Sequence, residues 1–473
     1  MSTSSTAGRS IGQLFASRSL SSFVSFVAIA IFARELGATE IGVFFLYQTL
    51  VNLTSIVVDF GIRGAIEKRI SEGTSPETML ATGLAIKCIP LLALLPVVLV
   101  VREPIAGYVG ADVAVLLWLG ICAYEFGDTF LRLLRAEFRI GETALIEFLQ
   151  KLVWAGGGLL FITAGYAASG LIYAYVASYV VVFVCAVVRA STVPSRPDPA
   201  AATSLLGYAR HNVIASVGGQ VYNWMDTAII GLFLGAEAVG LYEVAWRLAS
   251  IVGTLAQSIE TAIFPEVSAL TSAGDTDRVR ALVADSISIS TIFVLPAVMG
   301  IVVLADDLLR LLFGAPFVAA QVALVILMVD KLFESYSVIF RRTLMGQDRP
   351  QYVSRIISVL VVFNIVLNVI LIPRVGISGA AAATATATAL STIGYYYYLS
   401  RTITVEFVWT DVGWTAVATL VMGLVVFVGK HTTETGGMGV LLLVVLGIVI
   451  YVGLISLSES LRTQVVRFAN TLL

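Results

Sequence analysis

The chain has 473 residues, 58% of them hydrophobic and 13% charged, and its mean hydropathy is +0.94. That is far more apolar surface than a water-facing domain needs, so the composition specifies a membrane protein and excludes most soluble-enzyme classes. The net charge of −2, from 29 basic and 31 acidic residues, gives no basis for nucleic-acid binding, and Cys88, Cys122 and Cys185 with His211 and His431 form no zinc, haem or disulfide pattern, so no cofactor is expected.

At about 20 residues per spanning helix plus short connections, the chain accommodates about fourteen spans. The first ten residues are polar, and the segment after them is too long and too Ser-rich for a cleaved signal peptide, so it reads as an uncleaved first span. Apolar runs bounded by charge, Gly or Pro place six spans near 11–33, 40–62, 79–101, 112–134, 143–165 and 167–188. A polar, proline-rich stretch through Val193, Pro194, Arg196, Pro197 and Pro199 follows. Eight more spans lie near 205–234, 238–263, 281–304, 318–340, 353–373, 377–400, 407–429 and 438–460. The expected organisation is an N-terminal six-helix bundle at 1–190, a cytoplasmic linker at 191–204, a second six-helix bundle at 205–400 and two additional spans at 401–473. The run Gly379 to Ala389 reads as a small-residue packing surface, and Tyr395 to Tyr398 as an interfacial anchor.

With the N-terminus in the cytoplasm, eighteen Lys and Arg fall in cytoplasmic loops and five outside, the skew that membrane insertion demands. Both termini are then cytoplasmic. The sequence also repeats itself: Leu36-Gly37-Ala38-Thr39-Glu40-Ile41-Gly42-Val43-Phe44 matches Leu234-Gly235-Ala236-Glu237-Ala238-Val239-Gly240-Leu241-Tyr242 at an offset of 198. Weaker echoes pair Arg139-Ile140-Gly141 with Leu344-Met345-Gly346 and Ser169-Gly170 with Ser378-Gly379, at offsets of 205 and 209. Six spans per repeat, an even number, put the two halves in parallel orientation.

A polar row at helical spacing inside a span marks a face turned to protein or to a water-filled cavity. Four spans carry one. Arg18, Ser21, Ser22 and Ser25 lie on span one, and Gln48, Asn52, Ser55 and Asp59 on span two, continuing to Arg63. Asn212, Ser216, Gln220, Asn223 and Thr227, with Asp226 beside them, lie on span seven, and Glu243, Arg247, Ser250, Thr254 and Ser258 on span eight. These are repeat partners, which points to a central cavity; the plainer reading is that the small polar residues bond neighbouring helices or their own backbone. Arg247 stands too deep for easy snorkelling, with Glu243 one turn before it, so a structural ion pair and an anion-binding arginine are both open. Lys87, Lys151, Glu125 and Asp128 are candidates for pairing between helices, and Lys331 for a local network with Asp330 and Glu334.

Several of these segments together resemble the polysaccharide flippases of the multidrug/oligosaccharidyl-lipid/polysaccharide exporter superfamily. The residues are Arg34-Glu35-Leu36-Gly37-Ala38 with Gly42; Trp224-Met225-Asp226 leading to Ile230 through Gly235; Val239-Gly240-Leu241-Tyr242 with Ala245 and Arg247; Met345-Gly346-Gln347; and Asn368 through Pro373 to Gly376-Ile377-Ser378-Gly379-Ala380-Ala381. The resemblance implies an all-α protein of two six-helix bundles in a V plus two C-terminal helices. It implies a cavity lined by spans one, two, seven and eight, and alternating access in the cytoplasmic membrane. The implied substrate is a polyprenyl-phosphate- or pyrophosphate-linked oligosaccharide, with membrane lipids around it and a proton or sodium as candidate driving ion. Arg18, Arg63, Asn223 and Arg247 are the expected substrate-binding residues, because arginine donates paired, charge-assisted hydrogen bonds to phosphate. Asp59, Asp226 and Glu243 are the candidates for ion coupling. The rivals are a cation-coupled multidrug exporter of the same superfamily, which would rely on acids such as Asp59 and Asp226, and a membrane-embedded glycosyltransferase or polymerase. A transferase needs a catalytic acidic motif in a large outward loop, and no outward loop here exceeds about fifteen residues.

Overall fold

The computed structural model describes residues 3–432 and 436–464; of these, the side chains of 3–19, 211–218 and 254–262 lie outside the description. All regular structure among the described residues is helical. The helices are α1 (Thr3–Asp59), α2 (Ile62–Ser71), α3 (Pro76–Val100), α4 (Arg102–Val109), α5 (Ala114–Ala136), α6 (Ile140–Thr163), α7 (Ala168–Arg189), α8 (Pro199–Leu234), α9 (Ala236–Ser272), α10 (Thr276–Leu312), α11 (Gln321–Gly346), α12 (Pro350–Val375), α13 (Ile377–Leu399), α14 (Trp409–Thr432) and α15 (Gly437–Ser456).

Each expected span has its helix. α1 carries the first two, on either side of a break at Gly37. The short α2 and α4 are connections, and the other twelve helices are spans three to fourteen in order. Among the described residues, ten helical segments, α1 among them, are apolar enough to cross a membrane by length and composition; α13, which alternates Ala with Thr, is not among them. α9 and α10 run to Ser272 and begin at Thr276, beyond the apolar runs that mark spans eight and nine, because a helix can continue past the lipid once its polar surface meets water.

The repeat is written in the backbone. Gly37 has φ 81° and ψ 178°, and Gly235 φ 82° and ψ −173°, a conformation essentially restricted to glycine. Five residues on, Gly42 lies so close to the carbonyl of Ala236 that a Cβ would stand 1.7 Å from its oxygen, and Gly240 lies likewise against Ala38, at 2.0 Å. The two motifs thus cross reciprocally, each glycine on the other's alanine carbonyl. Further along, Glu72, Gly73 and Thr74 donate to the carbonyls of Lys68, Ile70 and Arg69 in the pattern that Ala273, Gly274 and Asp275 repeat on Ala269, Thr271 and Leu270. Phe138 (φ 60°) and Asp348 (φ 58°) occupy equivalent turns, which corrects the echo at offset 205: the matching residues are 210 apart, Arg139 corresponding to Arg349. Gly170 and Gly379 do correspond at 209, each donating to the carbonyl three residues before it.

The chain divides into two compact units, Met1–Gly240 and Leu241–Leu473. In the first, α2, α3, α5, α7 and α8 enclose a core of Ile62, Ile66, Leu80, Leu133, Leu134, Val182 and Leu205. In the second, Ile263, Val283, Ile287, Ile339, Leu344 and Leu399 form the core of α9, α10, α11 and α13. Gly379, Ala380, Ala381, Ala383 and Ala387 are buried along α13, which packs on α11 and α12, as the small-residue run predicts. Of the four tyrosines expected as an anchor, Tyr395 is instead buried in that core, while Tyr396 and Tyr397 are exposed. α14 and α15 pack on α10, where the Tyr451 hydroxyl donates to the Ile292 carbonyl at 2.6 Å and Lys430 Nζ lies 2.6 and 2.8 Å from Asp306 and Asp307.

Candidate functional site

The first unit gathers five charges inside its helices. α1 ends at Asp59 because that side chain accepts the N–H groups of Gly61 (3.1 Å) and Arg63 (3.0 Å), so the chain turns through Phe60 and Gly61 at positive φ and restarts as α2. The polar row of span two therefore does not run on to Arg63 along one helix. Instead Arg63 folds back to place Nε 3.1 Å from Asp59 Oδ1 and Nη1 2.9 Å from Asp128 Oδ2, its guanidinium over the ring of Tyr124. Lys87 of α3, fully buried, reaches Asp59 Oδ1 at 2.9 Å, Glu125 Oε2 at 2.8 Å and the Thr129 hydroxyl at 2.7 Å. Glu125 is also fully buried, and its Oε1 has no hydrogen-bond partner among the described residues. Three carboxylates (Asp59, Glu125, Asp128) surround two cations, with Arg132 at 3.6 Å from Asp128 on the outer side, where it also binds Glu67.

The other candidates fall on α8 and α9. Asn223 is exposed and Asp226 half-buried, both in the first unit, and Asp226 has an interaction of its own. In the second unit Glu243 is 5% exposed and its Oε2 lies 3.4 Å from Arg247 Nη2, the arginine side chain as a whole being 22% exposed. Arg18 lies on α1 where side chains are not described, and the same holds for Asn212, Ser216, Thr254 and Ser258. The structure thus brings Asp59 together with Arg63, and Glu243 with Arg247. Several of the small polar residues follow the plainer reading: Asn52 donates to the Gln48 carbonyl at 2.8 Å and Ser250 to that of Arg247 at 2.8 Å.

Lys87, Glu125 and Asp128 were visible in the sequence as intramembrane charges, but their convergence on Asp59 and Arg63 was not. Thr129 and Tyr124 gave no signal, being an ordinary helix threonine and tyrosine until the lysine and the guanidinium meet them. In the second unit Lys331 forms the expected local network, at 3.2 Å from Asp330 and 2.6 Å from Glu334. The described residues hold no group of three His, Cys, Asp or Glu placed to bind a metal ion, and the three cysteines are free thiols.

Residues 31–321 match the family described as polysaccharide biosynthesis protein. The chain is 38% identical over 419 residues to the "Probable low-salt glycan biosynthesis flippase Agl15" of Haloferax volcanii, covering 89% of each protein. It is 30% identical over 371 residues to the "Probable flippase AglR" of the same organism, covering 76% of each. Among solved structures, the lipid II flippase MurJ in an inward closed conformation superposes with a TM-score of 0.76 at 15% identity, over 94% of this chain and 98% of that one. An inward-facing multidrug resistance MATE family transporter of the MOP superfamily superposes at 0.65, with 16% identity over 83% and 99%.

Proposed function

We propose, for a chain that belongs to the polysaccharide biosynthesis protein family, that it is a flippase carrying a polyprenyl-phosphate- or pyrophosphate-linked oligosaccharide across the cytoplasmic membrane by alternating access. The observation that carries this reading is the 38% identity to a named glycan-biosynthesis flippase along 89% of both chains. The multi-pass helical fold with charge inside its spans is what the task requires: cations for the phosphate, polar side chains for the sugars, and a lipid-facing exterior for the tail. We assign the repeats at 1–190 and 205–400, joined by 191–204, to two bundles that alternate, with 401–473 appended and both termini in the cytoplasm.

Arg18, Arg63, Asn223 and Arg247 are the proposed substrate contacts. Arg247 is favoured by its partial exposure and by a 3.4 Å pairing with Glu243, looser than the 2.7–2.9 Å of a tight charge-assisted bond. Arg63 is 7% exposed and held by Asp59 and Asp128, so its proposed part requires those pairs to open when substrate arrives. For coupling to a proton or sodium, Asp59, Asp226 and Glu243 are the proposed acids. The alternative, a cation-coupled multidrug exporter, draws on the superposition with the MATE transporter. Deleting the gene in its native host and identifying the lipid-linked glycan that accumulates separates them. Accumulation reversed by the wild-type gene and not by a well-expressed Arg247→Ala supports the flippase; normal surface glycans with drug sensitivity support the exporter.

A further inference from the structure

We propose that the second unit carries a phosphate-binding site centred on Arg349, at the helix ends where α9 meets α10, α11 meets α12, and the chain leaves α13. The inference comes from comparing the two repeats and is independent of the transport reading. Arg139 and Arg349 stand at the same point of the same turn, each N–H donating to the carbonyl five residues earlier, Leu134 or Leu344. A threonine hydroxyl closes each turn: Thr192 donates to Glu137 Oε1 at 2.7 Å, and Thr402 to Gln347 Oε1 at 2.8 Å. All these pairs are related by 210 positions.

The charge around the two arginines differs. In the first unit Arg139 is neutralised: Nε lies 2.7 Å from Glu142 Oε1, Nη2 2.8 Å from Glu142 Oε2 and Nη1 3.4 Å from Glu137, and Nη1 also donates to the Arg189 carbonyl. In the second unit Gln347 stands in place of Glu137 and Tyr352 in place of Glu142. The Arg349 side chain has no ion pair or hydrogen bond among the described residues and lines a cavity of about 190 Å³ with Thr271, Thr276, Gln347 and Thr402. Two carboxylates at the start of α10 pair with their own arginines, the N-cap Asp275 with Arg278 at 3.4 Å and Asp277 with Arg280 at 2.9 Å, and Asp348, which stands in place of Phe138, is exposed and forms no ion pair among the described residues.

A guanidinium, a carboxamide whose oxygen is already used by Thr402, and the hydroxyls of Thr271 and Thr276 form a donor-rich set around a cation. Its complement is an anion with several oxygens, and a tetrahedral phosphate meets an arginine fork with two of them. The cavity is smaller than the roughly 300–1,000 Å³ of drug-sized sites, a size that accommodates a phosphate group. Tyr352 and Tyr398, stacked at 4.3 Å beside these helix ends, are residues of the kind that sits at headgroup level. The phosphate can therefore come from a lipid headgroup or from solution.

The test uses the full chain in nanodiscs of zwitterionic lipid, with tryptophan fluorescence melting recorded against inorganic phosphate and against added phosphatidylglycerol. Both ligands should raise the melting temperature if the site takes a phosphate group from either source, and phosphatidylglycerol alone should do so if it takes a headgroup; either result supports the site provided the response depends on Arg349. Arg349→Gln and Gln347→Glu should each weaken the response at least ten-fold in ligand concentration, whereas Arg139→Gln should leave the ligand-induced increment intact. Gln347→Glu copies the first unit's own carboxylate and carries the test if Arg349→Gln fails to fold. No shift with either ligand, or a shift that survives both substitutions, overturns the proposal.

Discussion

Replacing Lys87 by Met removes the ammonium that joins Asp59 to Glu125 while keeping most of the volume of a fully buried side chain. Two carboxylate oxygens, at 2.9 and 2.8 Å, lose the ammonium; Asp59 Oδ1 keeps Arg63 at 3.1 Å, while Glu125 Oε2 is left stranded. At an effective dielectric of about 20 and about 4 Å between the centres of the ammonium and carboxylate charges, each pair contributes roughly 4 kcal/mol, so about 8 kcal/mol of attraction disappears. Against this stand several kcal/mol no longer spent desolvating the ammonium. The balance, about 3–5 kcal/mol, agrees with the cost of breaking a buried pair by deleting one member. For a unit of this size, that is a fall of roughly 6–20 °C in melting temperature, at about 2–4 °C per kcal/mol. Adding Glu125→Gln removes one stranded charge, so the double variant should recover at least half of the loss. The half-buried thiols of Cys88, adjacent to Lys87, and Cys122, near Glu125, report unfolding through a thiol-reactive dye in detergent. A Lys87→Met protein melting within about 1 °C of wild type, or a double variant no better than the single, would refute the network as a structural element.

Gly42→Ala should destabilise the crossing of α1 with the start of α9 by at least the 1–3 kcal/mol of an overpacked core, because the atom it meets is a backbone oxygen that cannot rotate away; a melting temperature unchanged from wild type would contradict the crossing. Glu137, outside the spans, is pushed up by burial but pulled further down by hydrogen bonds from Thr192 and Ser191 and by Arg139. A carboxyl lowered on folding adds stability above its unfolded pKa, and that stability is lost as the pH falls through the folded value. Glu137→Gln should therefore flatten the decline in melting temperature below about pH 4.5, and an unchanged slope would discount the assignment. Asp226→Asn, which keeps shape and removes charge, should slow reconstituted flipping more than it weakens substrate binding; equal rates that also ignore imposed proton and sodium gradients would eliminate Asp226 as a coupling acid.

Helix count and order were legible because each span must bury a nearly continuous apolar run in lipid, and that requirement writes itself into the sequence residue by residue. The glycine motif was legible for a related reason: a conformation and a contact that admit no Cβ leave little choice at Gly37, Gly42, Gly235 and Gly240. The partners of intramembrane charges were not legible. Periodicity states which face of a helix Lys87 occupies, but which acid it meets depends on how α3, α5 and the end of α1 rotate against one another, and Lys87, Lys151, Glu125 and Asp128 allow several pairings. The break after span two had a local sign, Asp59-Phe60-Gly61, yet the polar spacing from Gln48 to Arg63 suggested one continuous helix. Helical spacing persists through a turn if the residues merely keep their intervals, whereas hydrogen bonds from Gly61 and Arg63 to one carboxylate do not. Register failed similarly between the repeats. The offset is 198 at the first glycine, 201 at the α2–α3 turn and 210 at the α5–α6 turn, so a search near the initial offset aligns Arg139 with a residue of α11. Only the turn geometry matches Arg139 with Arg349, and only then does the replacement of Glu137 and Glu142 by Gln347 and Tyr352 become a difference between equivalent positions.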